Sequence, residues 1–319
     1  MSDPIRLGVL RLADSAPAVL AEAEGLFAAE GIDVALRVEP SWANVADKLC
    51  WGKLDAAIML PPLALAAVLG LRGPPTRLIV PMGISRGGNA VVASQDAAAA
   101  VPPALTPAAK AAALGAWMRE QRSPPRFAVV HVFSTHNLLL RHWLASAGID
   151  PDRDLEIVVI PPERVVSELA AGHIAGFCAG APWGDLAEET GAGRILLGSS
   201  AIQPRHAEKC LSLRADWAAD QPGAVAALLR ALQAAQRLCD LPERAAALAA
   251  LLAGRLDLPR TATRAALAGG GGVEQIAFAA AARLEAADGL WFLREMRRWG
   301  WLEAGVDLAG LIAELYSPP

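Results

Sequence analysis

Four short segments carry side chains able to hold an anion. Ser41-Trp42-Ala43-Asn44 opens an amphipathic stretch, with Ser41 as a helix N-cap and the Trp42 indole N–H as a donor that accepts nothing. Phe133-Ser134-Thr135-His136-Asn137 leaves an apolar run and enters another helix. Ser134 or Thr135 would cap that helix, and the N–H groups that follow, with the positive end of the dipole, would favour negative charge beside His136 and Asn137. Gly180-Ala181-Pro182-Trp183 ends a further strand, with proline at a helix start and a glycine that permits close backbone approach to a guest. Lys209, one of only four lysines, begins an apolar strand in His206-Ala207-Glu208-Lys209-Cys210-Leu211. Each segment also has a plain structural reading: a packing tryptophan, a solvated histidine on a capping turn, a surface lysine. Pooled, they are all donors, and no carboxylate is expected among them.

That donor bias weighs against other chemistries. There is no G-x-S-x-G, no H-E-x-x-H and no acid placed with His136 by spacing, so catalysis is not indicated. The chain after the first strand reads Gly8-Val-Leu-Arg-Leu-Ala-Asp14, which is no dinucleotide fingerprint, and no cofactor is expected. His131, His136 and His142 lack i, i+4 spacing, and Cys50, Cys178, Cys210 and Cys239 are dispersed, so no metal site or dithiol is expected. With 29 Lys plus Arg against 33 Asp plus Glu, the net charge of -4 gives no basic field for a polyanion, and direct nucleic-acid binding is not expected.

Positioning these residues requires strands and helices in alternation. Hydrophobic residues make up 54% of the 319, in short apolar runs separated by amphipathic stretches. The pattern predicts strands at 5–10, 33–38, 55–59 and 76–80, with helices at 15–29, 41–51 and 62–70 between them, which is the grammar of a parallel sheet. Glycines in Met82–Asn89 punctuate the chain; a strand at 90–94 and a proline-rich loop follow. From Phe127 the grammar restarts, with strands at 127–132, 155–160, 174–178 and 194–197 and helices at 135–147, 163–172 and 182–190. A short strand at 209–213 precedes a helical remainder at 222–239, 242–253, 276–287 and 288–299, with Gly269–Gly272 as a break. The expected architecture is α/β with two Rossmann-like lobes: 1–85 plus 203–319, and 86–202, with hinges near 82–89 and 198–206 and extra C-terminal helices. Such lobes would enclose a cleft where strand C-termini and helix N-termini converge.

Read in order, the motifs resemble the nitrate- and bicarbonate-binding proteins of ABC importers. The resemblance runs through Ala13-Asp14-Ser15-Ala16-Pro17, Ser41-Trp42, Asp55-Ala56-Ala57 and Gly87-Gly88-Asn89-Ala90. It continues through Ser134-Thr135-His136-Asn137, Arg141-His142-Trp143-Leu144, Gly180-Ala181-Pro182-Trp183, Glu208-Lys209 and Arg298-Trp299-Gly300. It implies a type II periplasmic-binding-protein-like fold. It also implies that Trp42, His136 and Lys209 match ligand-binding positions, that Asn89 or the neighbouring Gly88 matches a polar amide position, and that Gly180 to Trp183 line the site. Family members often carry glutamine at 87–89, where this chain has Gly87-Gly88-Asn89.

The N-terminal residues form no secretory leader and the alanine-rich segments are too interrupted to span a bilayer, so the expectation is a cytoplasmic protein with no membrane partner. This makes the chain most similar to nitrate/nitrite sensors of the NasS type. In that group the sensor holds an ANTAR-class RNA-binding antiterminator and releases it when nitrate or nitrite binds. The competing expectations are a solute-binding component of an importer and an enzyme resembling the thiamine-pyrimidine synthases, whose cysteine cluster is not found here. Nitrate, a planar monoanion, suits several neutral donors and one fixed cation, the role that falls to Lys209.

Overall fold

Ten short strands build two separate five-stranded sheets in the computed structural model, which describes residues 3–269, 273 and 275–316. They are β1 (Ile5–Val9), β2 (Val34–Val38), β3 (Ala56–Met59), β4 (Leu78–Arg86), β5 (Asn89–Ser94), β6 (Arg126–Val129), β7 (Glu156–Val159), β8 (Gly176–Gly180), β9 (Gly193–Gly198) and β10 (Ala207–Arg214). The chain divides into Met1–Arg86 with Ala207–Leu258 and Ile276–Pro319, and a second unit of Gly87–His206 with Pro259–Gln275.

In the first unit the order is β2-β1-β3-β10-β4. β1 pairs in parallel with β2 and β3, whereas β10 runs antiparallel to both β3 and β4. The second unit repeats the scheme as β7-β6-β8-β5-β9, with β6 parallel to its neighbours and β5 antiparallel to β8 and β9. The expected parallel sheets are therefore mixed sheets. In each unit one strand that is remote in sequence inserts next to the edge strand in the reverse direction, a pairing that local periodicity does not encode.

β1 and β3 are nearly continuous apolar runs because helices cover both faces of their sheet. Leu7, Val9, Ile58 and Leu213 are buried in it, and Val225, Leu228 and Leu232 supply a core stripe along helix Pro222–Cys239. In the second unit Val91, Phe127, Val129, Leu140, Trp143 and Cys178 form one buried cluster. At Gly176 a Cβ would run into the Phe127 ring and the Val92 carbonyl, so glycine is the residue that lets β8 lie flat against β6.

Several element boundaries depart from the periodicity. The helix expected at 15–29 splits into Ala16–Ala23 and Leu26–Ala29 at Gly25, whose φ of 69° lies in the left-handed region. The strand expected at 76–80 runs on to Arg86, so the punctuation at 82–89 shrinks to Gly87 and Gly88, both with positive φ. The proline-rich segment after β5 folds as helices Gln95–Ala99 and Pro107–Glu120, the latter capped by Thr106 with Pro107 at a position where its missing N–H costs little.

Helix Arg260–Ala268 clusters with the second unit, where it packs on helix Trp183–Glu189, so 203–319 does not stay together as expected. The expected helix at 276–287 is only a single 3-10 turn at Ala279–Ala281, and the next helix starts at Ala286. The glycine break is described at Gly269 alone; Gly270 to Gly272 lie outside the described residues. No helix among the described residues is long and apolar enough to cross a membrane.

Candidate functional site

Each unit brings its polar residues to one edge of its sheet, the edge formed by the carboxyl ends of the parallel strands. The reversed strands contribute their first residues to the same edge, so Asn89 of β5 and Lys209 of β10 lie there. Open α/β sheets bind ligands at this edge because loops and helix N-termini are gathered there.

In the first unit Ser41, in extended conformation, caps helix Trp42–Cys50 by accepting from the Asn44 N–H at 3.2 Å. The cap fixes Trp42 as the first helical residue, 1% exposed, and its indole N–H is buried with no acceptor among the described residues. The Lys209 ammonium lies 5.5 Å from the centre of the Trp42 rings. Lys209 is itself fully buried, donating to Glu208 Oε1 at 2.6 Å and lying 3.4 Å from Asp14 Oδ2. The Ser85 hydroxyl donates to the other Asp14 oxygen. Burial pulls the Lys209 ammonium down, but the charges of Asp14 and Glu208 and their hydrogen bonds outweigh it, and the net shift is upward.

The expectation of a donor set without carboxylates is therefore corrected: two buried carboxylates stand against the lysine. Neighbouring residues of a regular strand point to opposite faces, so a regular β10 would turn Glu208 away from Lys209. The β10–β4 register slips on both sides of Lys209, and this irregularity lets both side chains turn to the same place.

In the second unit Ser134 caps helix Thr135–Ala145 by accepting from the Asn137 N–H at 3.0 Å. His136 is fully buried, and its Nε2 lies 3.1 Å from Asn89 Oδ1, an oxygen that can only accept. The Asn89 main-chain N–H donates to Ser199 Oγ at 3.2 Å, and Ser199 Oγ lies 2.9 Å from His206 Nε2. Gly180 pairs with Asn89 across β8 and β5, and Gly88 forms the preceding turn with φ 79°. Trp183 begins its helix after Pro182 and is 5% exposed; its indole N–H has no acceptor among the described residues, and the same holds for the buried Thr135 hydroxyl.

Asn137 is placed differently from the other members. Its carboxamide donates to the Val132 carbonyl at 2.8 Å and accepts from Arg141 Nε at 3.1 Å, so the side chain braces the turn that presents His136. Ser199, Asp14, Ser85 and Glu208 are polar residues that sequence reasoning did not single out, and Thr135 was read only as a possible cap, the role that Ser134 fills. Asp14 and Glu208 sat within recognised motifs, but nothing in one dimension shows that Ser85, 71 positions away, meets Asp14.

Asp185, two residues after Trp183, is pushed up to about 6, by burial first and then by Glu188 and Glu189, against a main-chain hydrogen bond that lowers it. A raised carboxyl contributes stability that is present below its unfolded value near pH 4 and is lost as pH rises through about 6. Asp185→Asn is therefore expected to raise the melting temperature at pH 7, equivalent to roughly 1–2 kcal/mol after discounting for partial exposure, with no gain at pH 4. Melting curves across that range check it, and a gain that persists at pH 4 would refute the assignment.

Comparison with known proteins places this geometry in context. The family described as NMT1-like matches residues 2–253. The nitrate/nitrite binding protein NrtA of Synechococcus elongatus is 31% identical, covering 98% of this chain and 75% of that protein. The nitrate import ATP-binding protein NrtC of Synechocystis is 37% identical over 73% of this chain, which spans only 34% of that relative's length. The crystal structure of the periplasmic nitrate-binding protein NrtA from Synechocystis PCC 6803 superposes with a TM-score of 0.90 at 26% identity, covering 98% of this chain and 85% of that one. The α/β architecture is that of the periplasmic-binding-protein fold.

Proposed function

From the premise that this chain belongs to the NMT1-like family, we propose that it binds a small singly charged oxyanion, nitrate or nitrite, without transforming it and without a cofactor. The observation that carries the reading is the pair of buried indole N–H groups at Trp42 and Trp183, each lacking an acceptor among the described residues. A buried donor left unmade costs about 1–3 kcal/mol, and an indole can be relieved only by an acceptor. Nitrate offers three acceptor oxygens and no donor. His136, Asn89 and the Thr135 hydroxyl lie on the same sheet edge as Trp183, and Lys209 lies beside Trp42. NrtA, similar over nearly the whole of this chain, is named for nitrate and nitrite binding, which supports the same ligand class here.

Calorimetric titration of the purified protein with nitrate, nitrite, bicarbonate, sulfate and chloride tests this. Saturable one-to-one binding of nitrate or nitrite is expected; the absence of binding to every oxyanion of the panel overturns it.

The finer reading is a cytoplasmic sensor that holds an ANTAR-class antiterminator until the anion binds. An anion that prefers one conformation and a partner that prefers another are coupled, and each weakens the other's binding by the same factor. Gel filtration of the co-expressed pair is expected to show a complex that dissociates on adding nitrate. A pair that never associates would leave the alternative, the solute-binding component of an ABC importer, which the names of NrtA and NrtC favour.

A further inference from the structure

We propose that the first unit carries a second binding site, sharing no residue with the sheet edge described above, which takes a small organic dianion: two negative charges, as a phosphate monoester or a dicarboxylate, on a body with an apolar face. A cavity of about 560 Å³ is lined by helix Pro222–Cys239, the segment 279–284, β4 and Tyr316, which follows helix Leu308–Leu315. That volume suits an organic ligand and is far larger than nitrate requires. Gln233 and Arg237, four positions apart on one helix, share a face of the lining, and Arg283 comes from the segment 279–284. Pro81, Leu284 and Tyr316 add apolar and aromatic surface.

The lining thus holds two guanidinium groups and no carboxylate. Arginines elsewhere, such as Arg6, Arg86, Arg141 and Arg230, are each paired with an acid. Arg237 and Arg283 have no such partner among the described residues. Two acids of the same region are committed elsewhere: both Asp240 oxygens accept main-chain N–H groups, from Phe278 and Ala279, and both Asp288 oxygens accept from Arg86. Two like charges on one concave surface raise its potential, and a guanidinium fork matches the paired oxygens of a carboxylate or phosphate.

The walls are fixed in advance, which lowers the cost of binding. Asp240 holds the start of the segment at 2.9 and 2.8 Å, and Arg86 pairs with Ala277 through both main-chain groups. The Arg86 guanidinium reaches the carbonyls of Ala280 and Arg283 as well. Gln236 ties the helix to β4 by donating to the Gly83 and Ile84 carbonyls at 3.0 and 2.9 Å.

The test is calorimetric titration of the full chain, at fixed ionic strength, with phenyl phosphate, succinate, inorganic phosphate and benzylamine. Saturable binding of phenyl phosphate or succinate is expected, and the tighter of the two identifies the anionic group. Inorganic phosphate, without a body to lie on the apolar wall, should bind about tenfold more weakly than phenyl phosphate. Arg237→Gln and Arg283→Gln should each weaken the organic anion about tenfold or more, and together abolish its binding, with nitrate affinity unchanged. Both side chains are exposed, so the variants should melt like the wild type. Arg237→Lys, which keeps the charge without the fork, should restore only part of the affinity. Failure of both organic probes to bind the wild type overturns the inference, as does binding that survives in the double variant. So does inorganic phosphate or benzylamine binding as tightly as phenyl phosphate, or a nitrate affinity that falls with the arginines. Nitrate titration of the wild type tests the earlier reading alone, so the two fail separately.

Discussion

Alanine at position 209 is expected to destabilise the folded protein by about 3–5 kcal/mol, enough to compromise the fold before any question of anion binding is reached. The sequence alone presents Lys209 as a cation waiting for a ligand, and from that view its removal should abolish binding in an otherwise intact protein. In the structure it is the partner of two buried carboxylates. Truncating it takes from buried Asp14 and Glu208 the ammonium that both are held against. Replacing the whole group with neutral, hydrogen-bonding or apolar counterparts removes that penalty, because the desolvation cost of all three charges goes with them. Urea denaturation is therefore expected to show a large loss for Lys209→Ala and substantial recovery when Lys209→Met is combined with Asp14→Asn and Glu208→Gln. A single variant within 1 kcal/mol of wild type would refute the assignment of Lys209 as the buried cation holding Asp14 and Glu208. Its ammonium is held charged, so this stabilisation persists to alkaline pH and is lost only as pH rises through the shifted value, above the ordinary 10.5.

What was legible in one dimension follows from how far each feature reaches. Strands such as Ile5–Val9 and Val34–Val38 and the caps at Ser41 and Ser134 are local: a few apolar residues, one hydroxyl and a following N–H are sufficient to define them. The same locality singled out Trp42, His136 and Trp183, each the first or second residue of a helix that begins at the carboxyl edge of a sheet. The features that escaped are pairings between remote segments. β5 and β10 reverse the sheet direction because of what they lie beside, and neither sequence carries a sign of orientation. The transfer of Arg260–Ala268 to the second unit depends on its packing against the helix that starts at Trp183, more than 70 residues earlier. The contact of Glu208 with Lys209 escaped for a subtler reason: neighbours on a regular strand face opposite ways, and nothing local announces the register slip at Lys209 that brings them together. The site was thus readable as a set of donors but not as a balance of charge.

Replacing Trp42 or Trp183 with phenylalanine is expected to weaken nitrate binding by about 10–100-fold while changing the stability of the unliganded protein by no more than about 1 kcal/mol. Two effects oppose each other in the free protein. Phenylalanine fills less space than indole and leaves a gap, which costs stability. It also removes a buried N–H that has no acceptor among the described residues, which returns stability of similar size. In the complex only the loss remains, because a donor to a charged oxygen has gone. Trp143 supplies the contrast. It is equally buried, but its indole donates to the Pro107 carbonyl at 2.8 Å. Phenylalanine there loses packing and strands an acceptor, so about 2–4 kcal/mol of stability should be lost with nitrate affinity unchanged. Calorimetry and denaturation of the three variants separate the two kinds of tryptophan. If Trp42→Phe and Trp183→Phe lose stability as Trp143→Phe does and retain wild-type nitrate affinity, their N–H groups face no ligand, and the anion-binding assignment of the two tryptophans fails.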